Sequence, residues 1–202
     1  MTAFKETLKE QRWDDHRYYH HNLVNQSLHL LSAISFLFAY ALLFWAPWLA
    51  GLIGWSISMT SRQIGHFFFE PKGYDKVNQA TYEYKEEIKV GYNLKRKVIL
   101  HAIWVASTIT LYIEPSLFGL CKPYVGAAEF LHRIGQVWLY IGALGLAFRS
   151  MQLFFTRDLM TGLAWATKIL TDPFHDIKLY CKAPLHLLNQ GMTDPVAADN
   201  HG

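Results

Sequence analysis

Charge is scarce in this chain. Only 17% of its 202 residues are Asp, Glu, Lys or Arg, against about a quarter in ordinary globular domains. The balance is +3 with histidine neutral. That is too small to hold a polyanion, and the basic residues form no nucleic-acid motif, so nucleic acid is excluded as a partner. Cysteine is nearly absent. Cys121 and Cys181 make no CxxC or zinc-type spacing, which excludes a thiolate metal site. A disulfide between them is unsupported, and two free thiols in a reducing compartment is the expected state. Residues 1–26 are polar and lack the apolar core of a signal peptide, so export is not expected. No internal repeat or low-complexity tract occurs.

What the chain does have is apolar residues, gathered into runs. Composition is 51% hydrophobic and 15% aromatic, yet mean hydropathy is only +0.07. Residues 27–46 form a first run of about the twenty residues a bilayer crossing needs. Pro47 permits a tight turn. A second run covers 48–69 and ends at Pro71-Lys72-Gly73. A charged stretch, 72–97, is expected to include a short solvated helix. A third run, 98–113, stops at Pro115, and a fourth covers 134–155. Residues 159–170 read as an amphipathic interfacial helix. The expected fold is an all-α, polytopic helical membrane protein with about four transmembrane helices plus interfacial helices. One domain spans 1–190, and 191–202 reads as a disordered tail.

Loop charge supports this layout. Fifteen of the nineteen Lys and Arg residues fall on one side of such a membrane. They lie in the N-terminal segment, the 72–97 loop and the C-terminal segment. Lys122 and Arg133 alone fall on the other side. The positive-inside rule therefore places both termini in the cytoplasm. A soluble bundle of fully buried helices is the competing architecture.

Ten histidines are many for this length, and the topology gives them a common depth. His20 and His21 precede the first span, and His29 lies in its first turns. His66 is near the end of the second span, His101 near the start of the third, and His175 follows the last helix. All six fall at the cytoplasmic ends. Neutral imidazole is the commonest ligand for Zn, Fe, Cu and Ni, and ionisable groups at membrane depth are costly unless functional. A shared metal site is the expectation. Single histidines at an interface also occur simply hydrogen-bonded to headgroups. Gln63, His66 and Glu70 share one helix face. Arg62 is a candidate to hold a substrate carboxylate or to pair with a buried acid. Glu129-x-x-His132 has the spacing of carboxylate di-iron bundles. It occurs once and on the opposite side, so it reads as the start of an interfacial helix.

Tyr19-His20-His21-Asn22-Leu23-Val24-Asn25-Gln26-Ser27-Leu28-His29 resembles the YHHNxxNxxxH motif of the 2-hydroxy fatty acid dioxygenase family, a fungal endoplasmic-reticulum enzyme and its bacterial relatives. Arg62-Gln63-Ile64-Gly65-His66-Phe67-Phe68-Phe69-Glu70 resembles that family's second motif, a glutamine followed by GHxxFE. The two motifs cover about a quarter of the chain. The resemblance implies an Fe(II)-dependent oxygenase that shortens a 2-hydroxy fatty acid by one carbon using O₂. It implies His20, His21, His29, His66 and Glu70 as site residues; His101 and His175 rest on topology alone. Glu70 is expected as an acceptor for an imidazole N–H rather than as a ligand. The chain departs from the family after Glu70, where a long charged loop replaces a shorter connection with a Pro-Ala segment.

Two other readings stay open. A di-iron hydroxylase or desaturase carries HxxxH and HxxHH boxes, and neither is expected here. A non-enzymatic metal carrier needs polar residues along its spans, and apart from Ser56, Ser58, Thr60 and Thr108 mid-span positions are apolar. A scaffold would be indifferent to loss of the histidines. A lipid or fatty acid is the expected partner, and self-association into a homo-oligomer is left open.

Overall fold

The computed structural model describes residues 2–76 and 78–190, and the tail assigned to 191–202 lies outside them. The chain is all-α. Its helices are α1 (Thr2–Tyr19), α2 (Leu23–Leu42), α3 (Pro47–Ile53), α4 (Thr60–Ile64), α5 (Tyr82–Ile88), α6 (Leu94–Ile113), α7 (Gly126–Thr156), α8 (Leu159–Tyr180) and α9 (Ala183–Gln190). Two π-helical stretches, π1 (Gly54–Met59) and π2 (Gly65–Phe69), adjoin α4. Among the described residues no strand forms, and an isolated bridge joins Asp75 to Ala80.

Among the described residues three helices are long and apolar enough to cross a membrane: α2, α6 and α7. The second apolar run is helical from 47 to 69, but it is built from alternating α and π segments. Pro47 sits at its first position, where a missing N–H costs nothing. The third run is longer than expected because Asn93 caps α6 through Arg96 N (3.1 Å) and brings Leu94–Lys97 into the helix. The 159–170 segment continues to Tyr180 with Pro173 inside it.

Burial is inverted relative to a water-soluble protein. Nineteen polar or charged residues are buried among those described, against fifteen apolar ones, whereas soluble cores are apolar. Phe38, Ile99, Ile103, Ile109, Tyr140, Leu144 and Phe148 point outward from the three long helices. An apolar solvent around the helices accounts for both features.

Small residues set the tightest crossing. At Gly51 on α3 a Cβ would lie 2.0 Å from Gly135 O, and at Gly135 on α7 it would lie 2.1 Å from Trp48 O. Such contact between backbones is how helices associate where no hydrophobic drive exists. Helix α8 packs on α1, α2 and α7. The 72–97 segment departs from the solvated expectation. Lys85 of α5 is fully buried, its ammonium 3.8 Å from Asp75. The Tyr19 hydroxyl donates to Lys85 O (2.5 Å), which ties α5 to the end of α1.

Candidate metal centre

The site begins with the break between α1 and α2. Asn22 caps α2 by accepting from Val24 N (2.8 Å) and Asn25 N (3.3 Å), the usual role of Asn at this position. One turn on, Asn25 Nδ2 donates back to Tyr19 O (2.8 Å) and Gln26 Nε2 to His20 O (2.8 Å). Two amide side chains thus clamp the backbone at residues 19 and 20. His29, one further turn along α2, lies beside His20. Opposite them, Gly65 lets π2 come against α2. A Cβ there would sit 2.1 Å from Asn25 Oδ1 and 3.6 Å from His29 Cδ2. His66 follows on π2, a π-helical stretch of the kind often found at functional sites.

These three imidazoles converge. Ring centroids are 4.1 Å apart for His20–His29, 4.9 Å for His29–His66 and 5.3 Å for His20–His66. One nitrogen from each lies within 4.8 Å of the others, a spacing that accommodates a metal ion. All three are buried.

Each ring has a neighbour on its Nδ1 side. His66 Nδ1 is 2.8 Å from Glu70 Oε2. His20 Nδ1 is 3.1 Å from the Tyr180 hydroxyl, which is also 3.1 Å from His16 Nδ1. His29 Nδ1 is 3.6 Å from Asp176 Oδ2, beyond a hydrogen bond but within ion-pair reach. The Nε2 atoms of His20 and His29 are buried without any hydrogen-bond partner. Unpaired nitrogens aimed at a shared point, backed by acceptors, are what a metal-ligating histidine set needs. The donor set is all imidazole, which suits Fe, Zn, Cu and Ni rather than Mg or Ca.

Charge is arranged around this centre. Glu70 Oε1 accepts from Lys89 Nζ (3.0 Å), and Lys97 Nζ lies 3.8 Å from Oε2. The Lys89 ammonium also sits 3.5 Å over the Tyr19 ring, a cation–π contact. On the other side Arg62 pairs with Asp176 and lies 3.9 Å from Asp172. Lys168 bridges Asp15 and Asp172, each at 3.0 Å. Burial, then the neighbouring His29, pushes the His20 imidazole well below its ordinary range. Burial likewise keeps the Tyr180 hydroxyl protonated far above its usual range.

A cavity of about 440 Å³ adjoins the cluster. His66, Gln63 and Arg62 line its polar end, and Gln63 Oε1 is buried without a partner. Four cationic side chains line it, Arg62, Lys89, Lys97 and Lys168, against two acidic ones, Asp14 and Asp15. The other end is apolar, with Phe36, Leu43, Met59, Trp138 and Leu139 in its wall.

Of the residues marked from sequence, His20, His29 and His66 meet, with Glu70 and Arg62 beside them. His21 turns away, and its Nε2 lies against Arg17 O. His101 Nδ1 is 2.7 Å from Lys97 O, and its ring packs on Trp55, Phe67 and Trp104. His175 is half-buried and borders a small void beside Tyr180. His16 and His20 do have HxxxH spacing, but only His20 belongs to the cluster with His29 and His66; His16 meets it through the Tyr180 hydroxyl that lies between the two rings. His132 packs on Trp48. Cys121 and Cys181 are both free.

Sequence reasoning passed over Lys168, Asp172, Asp176 and Tyr180. They stand at successive intervals of four on α8, and all are buried. A polar ladder at helical spacing in a mostly apolar helix was the available signal. Compared with known protein families, characterised proteins and solved structures, the chain finds no match.

Proposed function

We propose that His20, His29 and His66 hold one Fe(II) ion, and that the protein is a membrane oxygenase acting on a 2-hydroxy fatty acid or a similar lipid. Four helical crossings, the fourth formed by residues 47–69, would put both termini and the site on the cytoplasmic side. The observation that carries the reading is the meeting of two features at His66. Its ring belongs to the three-imidazole cluster and also lines a cavity whose wall combines polar side chains with apolar ones.

Bound there, the ion would supply redox chemistry with O₂ and polarise a coordinated hydroxy acid. The remaining work belongs to the chain. Glu70 takes the His66 Nδ1 proton as a hydrogen bond and so leaves Nε2 free as a ligand atom. Tyr180 does the same for His20, passing its own O–H to His16. Lys97 and Lys89 lie where a substrate carboxylate would enter, and Gln63 offers an amide to it. The apolar arm keeps the acyl chain out of water and fixes its head beside His66, which is the positioning such a reaction needs. The overall change balances as R–CHOH–COOH + O₂ giving R–COOH, CO₂ and water. The second carbon is oxidised to a carboxyl, and the bond to the first carbon breaks.

Metal analysis of protein purified without chelators or added metals tests the centre, comparing wild type with His66→Ala. Near-stoichiometric iron in wild type and its loss in the variant are expected. Wild type with less than about a tenth of an equivalent of any transition metal would sink the centre. Iron without aerobic consumption of 2-hydroxy fatty acid would remove the substrate and leave the centre standing.

A further inference from the structure

Helical glycines in this protein fall into two groups. At Gly51, Gly65, Gly135 and Gly162 a Cβ would come within 2.4 Å of another atom. Those glycines are required by packing. At Gly54 and Gly142 the nearest atoms are Phe36 Cε1 at 3.9 Å and Trp55 Nε1 at 3.7 Å, which is ordinary contact, as it is at Gly145 beside Tyr92 and Leu100. Neither has a positive φ. Neither packing nor backbone conformation asks for glycine there, and glycine is the poorest helix former after proline. Both line the cavity, in its apolar arm.

We infer that Gly54 and Gly142 leave open the distal part of an acyl-chain channel, and so set the longest single-chain acid the site accepts. This rests on the lipid reading above. The occupant's chemistry follows from the lipid reading and the lining: the four lining cations are already paired with carboxylates, so a single acid head is placed beside His66 and Gln63, and the apolar wall takes its chain. A singly anionic, single-chain amphiphile matches it. The scale follows from the helix. Gly54 is twelve residues from His66, a rise of at most about 18 Å at the α-helical value of about 1.5 Å per residue, since the π-helical stretches rise less. An extended chain with bonds of about 1.52 Å and angles of about 111° advances about 1.25 Å per carbon. At most roughly fourteen carbons therefore reach from His66 to Gly54. Longer acids must extend past Gly54, along a wall that also includes Gly142.

The test is anaerobic equilibrium binding of 2-hydroxydodecanoic and 2-hydroxyicosanoic acids to the full chain in detergent. Wild type is compared with Gly54→Val, Gly142→Val and the milder Gly142→Ala. Each excluded methylene weakens binding about fourfold, so losing three weakens the icosanoic acid about sixtyfold. The dodecanoic acid should change less than about threefold, because its tail ends before Gly54. Gly142→Ala, whose Cβ fits without a clash, should shift the ratio of the two affinities about fourfold. An unchanged ratio in Gly142→Ala and in whichever valine variants fold would overturn the inference, as would equal weakening of both acids. Wild type that binds neither acid overturns it together with the lipid reading. Loss of the iron assignment alone, with both acids bound and the ratio shifted, supports it.

Discussion

Replacing Glu70 by glutamine separates a ligand from the group that positions one. Glu70 carries three contacts: His66 Nδ1 at 2.8 Å, Lys89 Nζ at 3.0 Å and Lys97 Nζ at 3.8 Å. Glutamine keeps the length of the side chain but offers one acceptor oxygen and no charge. That oxygen can serve His66 or Lys89, not both. Removing such a partner from a metal-bound imidazole typically costs 10- to 100-fold in metal affinity, or about 1.4–2.7 kcal/mol. Two buried ammonium groups also lose their shared carboxylate. Breaking a buried pair costs about 3–5 kcal/mol when one charge is left alone. Here Lys89 keeps Glu86 at 3.5 Å and the Tyr19 ring, so the expected loss of stability is smaller, about 1–3 kcal/mol. Fe(II) affinity is measured anaerobically by competition with a chromophoric chelator, and stability by thermal melting of the metal-free protein. Glu70→Gln should fall between wild type and His66→Ala in affinity. Wild-type affinity would refute a positioning role. Affinity as poor as that of His66→Ala would make Glu70 a ligand in its own right.

Three further outcomes follow from the same geometry. Tyr180→Phe removes the hydroxyl between His20 and His16, so iron affinity should drop about tenfold while helix content by circular dichroism is kept; unchanged affinity would rule out its role. Gly65→Ala puts a methyl 2.1 Å from Asn25 Oδ1, forcing π2 away from α2. A stability loss of about 1–3 kcal/mol in denaturant melts and weakened iron binding are expected, and a variant that melts and binds like wild type would refute the close approach. The His20 imidazole is held below its ordinary value by burial and by His29. The unfolded chain takes up this proton near pH 6.5 and the folded chain only at lower pH. The unfolded state thus binds more protons in that window, and metal-free stability should fall as pH drops below about 6.5. His20→Gln should flatten that part of the profile; an identical slope would show that the proton is taken up elsewhere.

The all-α architecture was legible because hydrophobic runs of bilayer length and flanking charge report on themselves. Each depends on nearest neighbours in the chain and on a solvent whose preferences are simple. The motif around residues 19–29 was legible for the same reason. Asn22, Asn25 and His29 act within one helix start, so their spacing in sequence is their spacing in space. Six histidines were expected at one depth, but depth is one coordinate of three. His101 was a candidate on the same ground as His66, yet its ring turns into Trp55 and Trp104, and His21 differs from His20 by one residue and faces Arg17.

Which rings meet was decided by tertiary contacts alone. Gly65 had to lie against Asn25 before His66 could reach His29, and no periodicity encodes a contact between residues forty apart. The α8 ladder depends on the same fact. Lys168, Asp172, Asp176 and Tyr180 are buried only because α8 packs on α1 and α2. Sequence by itself determined that the chain is helical, where it is apolar and which histidines were candidates. Only the packed structure selected His20, His29 and His66 from among them, because ligand geometry is a distance between elements, and distances between elements are set by the side chains that separate them.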